Sequence, residues 1–181
     1  MTKLIILDRD GVINHDSDQF IKSVDEFLLL PNTLKAIVAL KQAGYTVAVA
    51  TNQSGIARGL YSRADLHAMH AKLQTQLKDL GAAVDWIAYS PYLHDTPCRK
   101  PNAGMYQSIA WRFGLSSLAS VPVIGDSWRD LSAALSVGAR PVLVRTGKGA
   151  QTAVQHAEAL SQNQIPVVED LAAAVNELGV S

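Results

Sequence analysis

A chain of 181 residues, 48% hydrophobic and 18% charged, is long enough for one sizeable core and short for two ordinary domains, so residues 1–181 read as a single domain. Sixteen basic residues balance sixteen acidic ones, which leaves no broad field for a nucleic-acid backbone or an anionic membrane surface and predicts neither as a partner. The one cysteine, Cys98, excludes an internal disulfide framework, and the opening apolar run is too short for a leader peptide or a membrane span, which predicts a cytoplasmic location.

From the amino end onward, short Val- and Ile-rich runs alternate with amphipathic stretches, the pattern of a parallel sheet with helices on both faces. The expected fold is α/β, a three-layer α/β/α sandwich. Residues 4–7 form its first strand. Residues 33–43 carry Leu34, Ile37, Val38 and Leu40 at helical spacing and stop at Gly44, so a helix leads into a strand over 46–50. Ser62 precedes a long helix with Leu66, Met69, Leu73 and Leu77 on one face, ending near Gly81 and followed by a strand over 85–89. A helix over 103–113, a strand over 121–124, a helix over 130–137 and a strand over 141–144 continue the alternation. Helices near 150–160 and 170–178, with a short strand between them, complete it.

Open parallel sheets bind ligands beyond the carboxyl ends of their strands, and the polar residues gather there. Asp8, Arg9 and Asp10 follow the first strand, Thr51, Asn52, Gln53 and Ser54 the second, Lys100 lies in the loop after the third, and Asp126 and Ser127 follow the fourth. Two carboxylates as close as Asp8 and Asp10 repel, and a divalent cation, a retained proton, or both relieve that repulsion. Mg²⁺ prefers oxygen ligands and keeps coordination places for a phosphate, with Asp126 as a further ligand from another strand. The pair suggests divided labour. Asp8 attacks phosphorus, while Asp10 gives a proton to the departing alkoxide and then activates water. Lys100 and the Thr51 hydroxyl neutralise and orient the transferred oxygens. Alone, each motif has a bland reading, since Asp is frequent in turns after strands and Asp126 and Ser127 suit a helix cap. Four motifs in order, each after a strand, outweigh it.

Together DRDGV, TNQSG, RKP and GDSWRD resemble the haloacid-dehalogenase (HAD) superfamily, and within it the phosphatases, because Asp10 supplies the acid that a phosphate ester requires. The resemblance implies a Rossmann-like HAD fold and an aspartyl-phosphate mechanism. It places Asp8, the Asp10 carbonyl and Asp126 on Mg²⁺, Thr51 and Lys100 on the phosphate, and Asp130 in support behind them. LDRDGVIN, TNQSGIARG and CRKPNAGM resemble the branch that holds the heptose-bisphosphate and histidinol-phosphate phosphatases. That branch implies removal of the 7-phosphate of a heptose 1,7-bisphosphate in the supply of lipopolysaccharide core precursors. Histidinol phosphate or another small sugar phosphate is the alternative. Substrate contacts carried over are Asp16, Ser17, Asp18 and Gln19, then Asn52, Gln53 and Ser54, and Arg58 and Arg99. A phosphate-binding scaffold without catalysis is the rival reading, and the presence of both Asp8 and Asp10 argues against it.

Two departures from that branch stand out. The Cys/His zinc loop before RKP is shortened to YSPYLHDTPCRKP, where Cys98 and His94 do not make a tetrahedral set, so no zinc is expected. Ser127 stands where the branch commonly has a substrate-touching lysine.

The spacings between motifs leave no room for a cap domain, so the site is expected to be open. Selectivity then falls to charged rim residues, and Arg58, Arg99 and Arg129 are placed to meet a second phosphate. The partner is a small phosphorylated sugar, and the chain is expected to be a monomer or a weak homo-oligomer. Other features read as structural. His67 and His70 are expected to face solvent, Trp86, Trp111 and Trp128 to pack, and the Gly147 to Gly149 segment to be a flexible turn, since it lacks a Walker spacing.

Overall fold

In the computed structural model, which describes residues 3–180, six parallel strands are ordered β3-β2-β1-β4-β5-β6. They are β1 (Lys3–Leu7), β2 (Tyr45–Asn52), β3 (Trp86–Ser90), β4 (Pro122–Gly125), β5 (Arg140–Val144) and β6 (Val167–Val168). The first three strands are laid down in one direction from β1, and the chain then returns to add β4 on the other side of β1. That reversal opens a crevice between β1 and β4 at their carboxyl ends.

Four apolar residues in a row make β1 a strand buried on both faces. Ile5 and Leu7 point into one layer, against Ile37 and Leu40 of α1 (Thr33–Gln42), Leu66, Met69 and Leu73 of α2 (Arg63–Lys78), and Leu171 and Val175 of α7 (Leu171–Glu177). Leu4 and Ile6 point into the other, against Met105, Tyr106 and Ile109 of α3 (Gly104–Arg112) and Ala133 and Ala134 of α4 (Trp128–Ser136). The register is set by Ile5 opposite Val47 and Ile6 opposite Val123. A smaller cluster of Leu131, Leu143, Leu160 and Ile165 seats α6 (Ala157–Gln162), which follows α5 (Gly149–Gln155).

The three-layer α/β/α fold is therefore the one expected, and among the described residues neither the β1–β2 nor the β2–β3 connection holds an inserted domain. Differences are local. β2 runs two residues past the predicted 46–50, because Thr51 and Asn52 still pair with Tyr89 and Ser90. α4 starts at Trp128, not at Asp130, because Asp130 reaches back to the Ser127 N–H and hydroxyl at 3.0 and 2.6 Å and closes the first turn. The predicted 150–160 helix breaks at His156, whose ring stacks on Trp128 at 4.8 Å.

Two side-chain expectations fail. His70 is buried at 8% exposure because it falls on the Leu66, Met69, Leu73 face of α2, while His67 is exposed. Trp111 is 84% exposed and Trp86 40%, Trp86 lying beneath the Arg112 guanidinium. Among the described residues no helix is long and apolar enough to cross a membrane.

The start of α2 is fixed by a reciprocal cap. Ser62 Oγ accepts from the Asp65 N–H at 3.1 Å, and Asp65 Oδ2 accepts from the Ser62 N–H at 2.8 Å. Ser62→Ala should cost about 1 kcal/mol and lower the melting midpoint by about 2–4 °C with turnover unchanged, as read by thermal melts beside an activity assay. An unaltered midpoint would show that packing alone sets this helix.

Candidate active site

β1 delivers Asp8 into the crevice, where its backbone N–H donates to the Ile124 carbonyl at 2.9 Å and ties the position to β4. Lys100 arrives from the loop after β3 and is 2% exposed. An ammonium has three protons, and three acceptors meet them: Asp8 Oδ1 at 2.9 Å, Asp130 Oδ1 at 2.6 Å and the Ala50 carbonyl at 2.8 Å. The Asn52 amide clamps the Lys100 backbone on both sides, donating to its carbonyl at 2.9 Å and accepting from its N–H at 3.1 Å. Asn52 thus holds the lysine in place while lining the cavity.

Asp10 is held differently. Arg9 Nε and Nη2 donate to Asp10 Oδ1 at 3.1 and 2.7 Å, Asn14 Nδ2 donates to the same oxygen at 2.8 Å, and Gln53 Nε2 donates to Oδ2 at 2.8 Å. Gln53 also donates to Thr51 Oγ1 at 2.8 Å and accepts from the Tyr61 hydroxyl at 2.5 Å. One buried amide therefore links Asp10 and Thr51 to Tyr61, a residue that no sequence motif marked.

Asp126 stands beyond the end of β4 between two glycines. A Cβ on Gly11 would lie 2.1 Å from Asp126 Oδ2, and one on Gly147 would lie 2.2 Å from it, both at positive φ. The Lys148 N–H donates to Asp126 Oδ2 at 2.8 Å, and Thr146 Oγ1 donates to the Gly11 carbonyl at 2.6 Å. The Gly147 to Gly149 segment is thus a close-fitting cradle for this carboxylate, not a loose turn. Its signal in the sequence was the pair of glycines flanking a lysine.

These residues line a cavity of about 260 Å³ with Asp8, Asp10, Thr51, Lys100, Asp126 and Asp130 at its floor. Asp16, Ser17 and Asp18 reach it from the loop before α1, Ser54 and Arg58 from the loop after β2, and Arg99, Ser127, Arg129 and Lys148 from the remaining sides. Gln19, expected with its neighbours, is exposed and outside the lining because the loop turns back at Phe20, which has φ 65°. Lys148 Nζ sits 3.1 Å from Asp18 and 3.6 Å from Asp16, offsetting the acidic side of the rim. Burial, and then the positive fields of Arg129 and Arg58, pull the Arg99 guanidinium below its ordinary range. Arg58, Arg99 and Arg129 all line the cavity. The Cys98 sulfur lies 3.6 Å from the Thr96 hydroxyl oxygen and 3.8 Å from that of Ser90.

The charges on the floor follow from their neighbours. Burial, then the Asp130 charge, pushes Asp8 up to about 7, with Lys100 pulling the other way. Burial, then Asp130 and Asp8, pushes Asp126 up to about 8. Burial also opposes ionisation of Asp10 and Asp130, but Arg9 for the first and Lys100 for the second outweigh it and hold both below the usual carboxylate range.

Asp8 and Asp126 are the two carboxylates that need further positive charge, which is the donor chemistry a hard divalent cation satisfies. Asp130 has an oxygen within 4.8 Å of both, yet its oxygens are already taken by Lys100 and Ser127. It reads as an anchor for Lys100 and not as a ligand. The Asp10 carboxylate is likewise committed, so only its carbonyl is left to contribute.

Groups whose folded pKa is raised stabilise the fold below their unfolded value and lose that contribution as pH rises through the folded one. For Asp8 and Asp126 the loss runs from 3.8 to about 7 and about 8. Buried His70, lowered from 6.5 to about 4, acts in the opposite sense below 6.5. The clean window is therefore from pH 6.5 to about 8. Chelator-treated protein should melt at progressively lower temperature across it, and a divalent cation should raise the midpoint more at its upper end. A flat profile insensitive to cation would remove the cation site.

Comparison with known proteins agrees with this geometry. The Polynucleotide kinase 3 phosphatase family matches residues 3–123 and the HAD-hydrolase-like family residues 97–174. A curated D-glycero-beta-D-manno-heptose-1,7-bisphosphate 7-phosphatase from Bordetella bronchiseptica is 50% identical over an alignment of 182 residues, covering 97% of each chain. One of the same name from Pseudomonas aeruginosa is 52% identical over 151 residues, 82% of this chain and 84% of the relative. The crystal structure of D,D-heptose 1,7-bisphosphate phosphatase from B. bronchiseptica, complexed with magnesium and phosphate, superposes with a TM-score of 0.92 at 50% identity, over 98% of both chains. With the carboxylate pair, the buried lysine and the Asp126 cradle all in place, the chain belongs to the heptose-bisphosphate phosphatase family of HAD-like hydrolases.

Proposed function

We propose that this chain is a Mg²⁺-dependent phosphatase that removes the 7-phosphate of D-glycero-D-manno-heptose 1,7-bisphosphate in the supply of lipopolysaccharide core precursors. The observation that carries it is one cavity with Asp8 and Asp10 on its floor and Arg58, Arg99 and Arg129 at its mouth. The floor suits the phosphate being cleaved, and the cationic side suits a second one. The same cations disfavour the positively charged end of histidinol phosphate.

In this reading an Asp8 oxygen attacks phosphorus and the bond to the sugar oxygen breaks. The arriving phosphate's negative charge raises the proton affinity of Asp10, which then protonates the departing alkoxide. Asp10 next takes a proton from the water that attacks the Asp8 acyl phosphate, releasing phosphate and restoring Asp8. The Thr51 hydroxyl donates to one phosphoryl oxygen, and Lys100, whose hydrogen bond to Asp8 is given up as that carboxylate attacks, donates to another. Asp8, the Asp10 carbonyl and Asp126 would hold Mg²⁺, which when bound shields the charge on Asp8 and the phosphate. Asp16, Ser17, Asp18 and Ser54 face the sugar, with Asn52 and Gln53 acting through Lys100, Asp10 and Thr51. A charged sugar bisphosphate as substrate supports a cytoplasmic setting.

Asp8→Asn keeps the shape and removes the attacking charge. Turnover should fall by about 10³-fold or more, a barrier rise of about 4 kcal/mol, and full activity in a folded variant would refute the nucleophile. Arg129→Ala should raise KM for the bisphosphate by about tenfold while leaving that for the same heptose with only a 7-phosphate unchanged. Equal effects on the two substrates would remove the second-phosphate site.

A further inference from the structure

Arg9, the residue between the two acidic ones, is 1% exposed and does not line the cavity. Its guanidinium is a rigid fork aimed at a single partner: Nε and Nη2 reach Asp10 Oδ1 at 3.1 and 2.7 Å, and Nη2 also reaches Oδ2 at 3.0 Å. The Phe27 ring packs against it with the guanidinium carbon 5.4 Å from the ring centre. The remaining nitrogen, Nη1, is buried without a hydrogen-bond partner among the described residues.

As a stabilising device this is a poor choice. A buried ion pair seldom holds a fold better than apolar side chains of the same volume, and a buried N–H without an acceptor adds a further penalty. What the fork does provide is orientation. A carboxylate gripped along two bonds by a planar, stacked group cannot rotate about its last torsion, and Asn14 and Gln53 close the remaining freedom at 2.8 Å each.

We propose that Arg9 is a positioning residue for phosphoryl transfer, fixing the plane of the Asp10 carboxylate against the leaving oxygen without itself touching substrate. The role rests on the reading of Asp10 as acid and base. It makes the contribution of Arg9 depend on how much the leaving group needs a proton. A sugar alkoxide needs one, whereas p-nitrophenolate leaves without it.

The experiment measures the single-turnover rate of leaving-group release, the step that precedes hydrolysis of the Asp8 acyl phosphate and is the one that depends on the leaving group, for Arg9→Met and Arg9→Lys on the heptose bisphosphate and on p-nitrophenyl phosphate, with Asp10→Asn as reference. Arg9→Met should lower that rate on the sugar by about 10- to 100-fold and on the aryl phosphate by less than about threefold, with the substrate concentration for half-maximal rate little changed. Arg9→Lys keeps the charge and loses the fork, and should show the same selectivity. It is read by the same ratio, so a failure of Arg9→Met to fold leaves the test intact. Equal losses on both substrates in a folded variant, beside a selective loss in Asp10→Asn, would overturn the role of Arg9 alone. A non-selective loss in Asp10→Asn would overturn the acid assignment and the positioning role with it.

Discussion

The Lys100 ammonium is the charge around which the crevice is assembled. It arrives from beyond β3, donates to the Ala50 carbonyl of β2, and ends between Asp8, just past β1, and Asp130 of α4. Three segments distant in sequence are thereby drawn to one point. Without that cation, Asp8 and Asp130 would repel each other in a place where water cannot screen them. With it, Asp130 remains ionised and anchors the lysine, while burial still leaves Asp8 short of positive charge.

From this arrangement each acid acquires its own character. Asp130 is neutralised by protein alone, and Asp10 is neutralised by Arg9 on the far side of the floor. Asp8 and Asp126 are left incompletely compensated and adjacent, the condition under which a divalent cation binds and a phosphate follows it. The four carboxylates of the cavity floor are thus sorted by their neighbours into two that protein groups neutralise and two that they do not.

Much of this was legible in the sequence because it rests on short-range signals. Apolar runs such as Leu4, Ile5, Ile6 and Leu7 declare buried parallel strands, and the acidic and hydroxyl residues directly after them declare the floor. What escaped notice depends on where elements meet. Tyr61 lies in a loop with no periodicity, and only its hydroxyl on Gln53 ties it to the floor. Lys148 and Gly147 gain meaning from the approach of Asp126, twenty or so residues away, which no local pattern announces. His70 looked like half of a polar pair with His67, yet the turn of α2 sends one inward and the other outward. Trp111 was expected to pack, but its place on α3 faces away from the layer formed by Met105, Tyr106 and Ile109.

The return of the chain to lay β4 beside β1 has a consequence for synthesis on the ribosome. The opening strand is made first, yet its second neighbour, Pro122–Gly125, emerges more than a hundred residues later. Until then β1 has one open flank, and α4, which carries the counter-charge for Lys100, does not exist. The segment before β4 therefore leaves β1 with an unpaired apolar edge and Lys100 with Asp8 but without Asp130, the kind of edge that favours association until the later strands arrive. Catalytic competence in this architecture is acquired late and all at once.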